Sequence, residues 1–81
     1  MFHKVKTVAP LKDFNLSVVF LDGTRKNYDV KQLFEYEAFG DLKEIQGLYE
    51  QVKVGAGGYG ISWNDNIDIA CDELWGNGKS A

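Results

Sequence analysis

Chemistry-bearing residues are scarce in this 81-residue chain, which has one cysteine, one histidine, one methionine and one proline. A lone cysteine, Cys71, forms no internal disulfide and makes a reducing cytoplasm the expected compartment. One Cys and one His cannot supply the four ligands of a structural zinc site. Thiol catalysis needs a base close to the sulfur, and His3 lies at the other end of the chain, so Cys71 reads as a small buried apolar residue. No apolar run approaches the ~20 residues of a membrane-spanning helix. The opening Met1-Phe2-His3-Lys4-Val5-Lys6-Thr7 does not read as a secretory signal. Excess positive charge is missing too. Nine basic residues face twelve acidic ones, for a net charge of −3, and duplex nucleic acid, which is bound largely through Lys and Arg, is not an expected partner.

What is present is apolar and β-rich. Hydrophobic residues make up 44% of the chain, with two Trp, four Tyr and five Phe, enough for one core in one small domain. Lys4 to Val8 reads as a first strand, with Pro10 at its end or on an edge. Leu16 to Leu21 is rich in β-branched and aromatic residues and reads as a second. Leu16, Val18 and Phe20 share one face, while Val19 and Leu21 imply partial cover of the other. Asp22-Gly23 turns the chain into a third strand, Lys26 to Val30.

Asp29 with Gln32 resembles a capping box that opens a short helix at about Val30. Gly40 reads as a break. Asp41 with Glu44 reads as a second cap, and Leu42, Ile45, Leu48, Tyr49 and Val52 follow at helical spacing. Val52 to Val54, Ile61 to Trp63 and Ile67 to Ile69 read as further strands, with a turn of helix or loop at Asp72 to Trp75. The polar stretch 76–81 has nothing to bury and is expected to be a mobile tail. Together these elements predict one α+β domain over residues 1–75, in β-β-β-α-α-β-β-β order. Its antiparallel sheet carries the helices on one face, in two layers.

Three patterns invite a chemical reading. Gly55, Gly57 and Gly60 match the spacing of a dinucleotide-binding loop, but that loop must lead from a strand into a helix. Ile61-Ser62-Trp63 alternates like a strand, so the glycines read as a flexible turn. Asp29 and Asp68 occupy equivalent places in two echoed units, Tyr28-Asp29-Val30 and Ile67-Asp68-Ile69, and Asp65, Asp72 and Glu73 lie near the second. Facing carboxylates can hold a hard cation or move protons. Against this, Asp29 is placed to cap a helix, and Asp68 to accept backbone N–H bonds near a strand end. Trp63, in register with Ile61, reads as core, while Trp75 can cover the sheet or cap a dimer. Asp29, Trp63, Asp65, Asp68 and Trp75 are the candidates for a functional surface. No catalytic, cofactor or metal residue is assigned.

The order of these short motifs resembles a known family. Val5-Lys6-Thr7-Val8-Ala9-Pro10, Leu16 to Gly23, Tyr28-Asp29-Val30, Phe39-Gly40-Asp41-Leu42, Tyr49, Val52-Lys53-Val54, Ile61-Ser62-Trp63, Asp68-Ile69 and Asp72-Glu73-Leu74-Trp75 are similar to the small bacterial domain of unknown function 2442. The family has a Pro and a Gly after the tryptophan where this chain has Asn64-Asp65-Asn66, residues that also tolerate the left-handed turn conformation. The resemblance implies a compact α+β domain without an established activity, and a toxin–antitoxin-like pairing suggested by gene neighbourhood. Some relatives carry an added helix-turn-helix segment, which is not expected here, nor is the DNA binding that would go with it. The expectation is a non-enzymatic protein–protein interaction module, an antitoxin-like partner of a small basic protein or a partner of itself in a homodimer. The alternative is a small-ligand or metal-binding domain using carboxylates near Asp68 and the Gly55–Gly60 turn.

Overall fold

Alternation along Leu16–Phe20 builds the first half of the molecule. The computed structural model describes residues 3–81; Met1 and Phe2, counted in the expected domain, lie outside the described residues. Strand β2 (Asn15–Phe20) buries Leu16, Val18 and Phe20 almost completely and turns Asn15, Ser17 and Val19 the other way. It pairs on one side with β1 (Val5–Pro10) and on the other with β3 (Arg25–Asp29), both antiparallel. Val5 and Val8 are three residues apart and so violate strict alternation. A bulge between Val5 and Thr7 restores the phase, because one extra residue shifts the pleat by one position. Pro10 ends β1, an outer strand of this sheet, where its missing N–H costs little. In the β2–β3 turn the Thr24 N–H donates to Asp22 Oδ1 at 2.8 Å and holds that carboxyl below its usual range. Leu21, expected to be partly covered, is 62% exposed.

The connection between the two halves departs most from its sequence pattern. Asp29 does cap a helical turn: its Oδ1 accepts the Lys31 N–H at 2.9 Å, opening a 3₁₀ turn over Val30–Leu33. Helix α1 (Glu37–Glu44) then runs through Gly40, the expected break, and ends before Ile45, which is half-exposed. No continuous helix carries Leu42 to Val52. Ile45 is already extended (φ −95°, ψ 109°), and Gly47 at φ +84° keeps the helix from resuming. Leu42 still reaches the core from α1, and Tyr49 reaches it from a separate 3₁₀ turn, Tyr49–Gln51. The Tyr49 hydroxyl bonds to the carbonyls of Leu11 and Asn15. It clamps the β1–β2 loop, where Asp13 (φ 61°) and Phe14 (φ 56°) are both left-handed. For Phe14 that conformation is strained. Edge-on contacts to Tyr49 and Phe34, with centroids at 5.0 and 5.2 Å, hold it there.

The second half has a sheet of its own, in the order β4 (Lys53–Val54), β5 (Gly60–Asn64), β6 (Ile67–Ala70). The single sheet expected from the sequence is therefore two antiparallel sheets in an α+β fold. Asn64 Oδ1 accepts the Asn66 N–H at 2.8 Å and closes the β5–β6 turn without the family's Pro and Gly. A bulge at Trp63 lets it share the interior with Ile67 and Ile69. Helix α2 (Cys71–Asn77) touches β3 of the first sheet and β5 and β6 of the second, so it joins them over one core.

Residues 76–81, expected as a mobile tail, belong to the fold. Gly76 and Asn77 complete α2, and β7 (Lys79–Ser80) pairs antiparallel with Asn27 and Lys26 of β3. The segment buries little side chain, as its composition indicates. It is held by backbone ladder bonds, which apolar patterning does not reveal.

Candidate functional site

The five side chains singled out from sequence do not converge. Trp63 is core, 4% exposed, with its indole N–H donating to the Tyr49 carbonyl at 2.9 Å and Phe39 edge-on at 6.2 Å. Trp75 covers the first sheet. His3 stacks on it at 3.5 Å, the Phe20 edge meets it at 5.0 Å, and Lys26 Nζ sits 4.4 Å from its ring while donating to its carbonyl at 2.6 Å. Asp65 is exposed in the β5–β6 turn. Asp68 is exposed on β6 opposite Ser62, and makes none of the backbone bonds expected of it among the described residues. Asp29 and Asp68, equivalent in sequence, stand on different sheets.

Cys71 is buried in α2, its sulfur 3.9 Å from Asp72 Oδ1. Burial, reinforced by the Asp72 charge, pushes the thiol up, which disfavours the thiolate a nucleophile needs. His3 turns its ring to Trp75, four residues further along that helix. Among the described residues no three of His, Cys, Asp and Glu gather as a metal site.

Two tyrosines missed by sequence reasoning carry the most perturbed groups. Tyr28 is wholly buried, and its hydroxyl donates to Glu73 Oε2 at 2.8 Å. Burial raises its phenol well above the ordinary range, and Glu73 adds to the effect. Burial likewise pushes Tyr49 up to about 12, against the opposing pull of its backbone bond. Both hydroxyls have hydrogen-bond partners, so both tyrosines are ties within the fold. The only signal for them in sequence is a Tyr at an inward position, where a buried hydroxyl must find an acceptor.

Two of the surface hollows are lined wholly by described residues. One, of about 320 Å³, unites Asp68 and Ser62 with Tyr59 and the glycine turn. Those glycines are explained by close packing. A Cβ on Gly60 would lie 2.5 Å from the Ile69 carbonyl, and one on Gly58 would lie 2.8 Å from the Val5 carbonyl at φ +78°. Gly58, the more constrained in backbone angle, is not part of the G-x-G-x-x-G spacing. The other hollow, about 460 Å³, is lined entirely by polar residues: Asn15, Asn27, Asp29, Gln32, Asn77, Lys79 and Ser80.

Charge is divided unevenly between the two parts of the chain. Residues 1–31 hold six basic and three acidic side chains, whereas residues 32–81 hold three basic and nine acidic. Asp65, Asp68 and Asp72 are all exposed in the acidic part.

Comparison with known proteins places the chain in a family. The family model described as Protein of unknown function (DUF2442) matches residues 5–80. The chain belongs to that family. The match takes in every strand of both sheets, β7 included. No curated protein and no solved structure matches. Among the described residues of this DUF2442 domain, no helix is long and apolar enough to cross a membrane.

Proposed function

We propose that this DUF2442 domain is a non-enzymatic interaction module, an antitoxin-like partner whose acidic part receives a small basic protein in the cytoplasm. The observation that carries the reading is the charge division, with nine acidic against three basic residues from position 32 onward. Complementary fields of this kind steer association and select partners more than they add affinity. The side chains that could have suggested catalysis have structural work: Asp29 caps a turn, Tyr28 and Tyr49 tie elements together, and Cys71 is packed inside. Co-purification from the native host at low and high salt tests the proposal. A stoichiometric basic partner, bound more weakly as salt rises, is the expected result. Recovery of the chain only as monomer or homodimer would count against it.

The hollow that unites Asp68 with the glycine turn favours a second reading, a small-ligand site there. Thermal-shift screening against nucleotides and other small metabolites separates the two, since a ligand of the folded state raises apparent stability. A flat screen would retire the ligand reading.

A further inference from the structure

We propose that the polar groove between β3, β7 and the Val30–Leu33 turn binds a free α-amino acid in its zwitterionic form. Sheet register supplies the argument. Asn15 lies opposite Asp29, and Asn27 lies opposite Lys79, so each pair shares a face of the sheet. Asn27 and Asp29 are two residues apart on one strand and share that face as well. All four line the hollow.

The two ends of the groove differ in chemistry. At one end Asn15 and Gln32 each donate one amide N–H, to the carbonyls of Asp13 and Asp29. The Asp29 carboxylate lines the same end and makes it negative. At the other end Lys79 has no ion pair among the described residues, and Asn27 has no side-chain hydrogen bond there. The Lys79 ammonium makes this end positive. Two strand residues span about 7 Å, which suits an ammonium and a carboxylate on a single carbon once a hydrogen bond is added at each end.

The side chains that line the hollow are all of polar types, as a ligand charged at both ends requires. Lys31 Nζ, 3.1 Å from Asp29 Oδ1, offsets part of the negative charge. The expected affinity is therefore in the millimolar range. The proposal is independent of the protein partner inferred above.

The test is a titration of the full chain, followed by backbone amide NMR, with L-alanine, L-alanine methyl ester and N-acetyl-L-alanine to about 20 mM. L-alanine is expected to give saturable shifts at Asn27, Asp29 and Lys79, and each blocked form to bind about tenfold more weakly. Lys79→Ala is expected to weaken L-alanine by about the same factor and leave the methyl ester unchanged. Lys79 joins the sheet through its backbone, so β7 should persist in that variant. Asp29→Asn keeps a capping oxygen and is expected to weaken the N-acetyl form least. Shifts that are absent, that lie away from the groove, or that neither blocking group diminishes would overturn the proposal.

Discussion

The β2–β3 and β5–β6 hairpins begin from similar sequence and end in different roles. Both alternate, both turn on Asp- or Asn-containing loops, and both return through an apolar-Asp-apolar triplet. Asp29 caps a 3₁₀ turn at 2.9 Å and lines the polar groove. Asp68 is an exposed residue on β6 with no cap to make. The difference lies in the element that each triplet leads into. Val30 enters a helical turn at once, so the carboxylate before it meets free N–H groups. Ile69 is succeeded by Ala70, which occupies the position before α2 and offers no side-chain oxygen. A side chain's role is thus set by where the next element begins, even when its neighbours look the same.

The comparison is best strained first at the two interiors. Phe20→Ala in one hairpin and Trp63→Ala in the other are each expected to cost about 3–5 kcal/mol, which approaches the whole stability of many small domains. Urea denaturation followed by circular dichroism measures both. A loss under about 1 kcal/mol at Trp63 would show that the second hairpin lacks a true core.

Next in size is the alkaline response of the clamp between the halves. The folded pKa of Tyr49 is raised to about 12 from 10.0, so its contribution is fully present below pH 10 and is lost as pH climbs through about 12. The raised phenol of Tyr28 acts in the same direction. Stability is expected to fall by about 2 kcal/mol across that window on account of Tyr49, and Tyr49→Phe should flatten the profile. An unchanged profile in the variant would remove Tyr49 as the cause.

The turns should respond unequally. Gly60→Ala forces a Cβ against the Ile69 carbonyl and is expected to cost about 2 kcal/mol. Gly23→Ala, with φ +92° but open space around it, is expected to cost about 1 kcal/mol. Equal melting temperatures for the two would mean that β5 does not approach β6 as closely as described.

The smallest contrast is the sharpest. Asp29→Ala should cost about 1 kcal/mol through loss of the cap, and Asp68→Ala should stay within about 0.5 kcal/mol. Parallel thermal melts decide whether the two triplets differ as the structure indicates.

Much of this was legible in the residues. Leu16 to Phe20, Asp22-Gly23, the Asp29 cap and the buried face of Ile61 and Trp63 are local patterns whose physics reaches only a few positions along the chain. The stretch from Gly40 to Val52 was misleading, because helical spacing alone does not show that Ile45 turns extended and Gly47 left-handed. The polar groove was invisible for another reason. Asn15, Asn27 and Lys79 meet only through pairing across the sheet, and the last of them sits in a segment whose composition resembles a tail.

From its own order of residues the chain settled a small α+β domain with acidic charge gathered in its later part, because alternation and charge are properties of position. Folding in three dimensions decided that there are two sheets, that 79–80 close the edge of the first, and that Asn15, Asn27, Asp29 and Lys79 line one groove. Those outcomes depend on backbone hydrogen bonds between residues far apart in the chain, and such bonds are made by groups that every residue but proline carries alike.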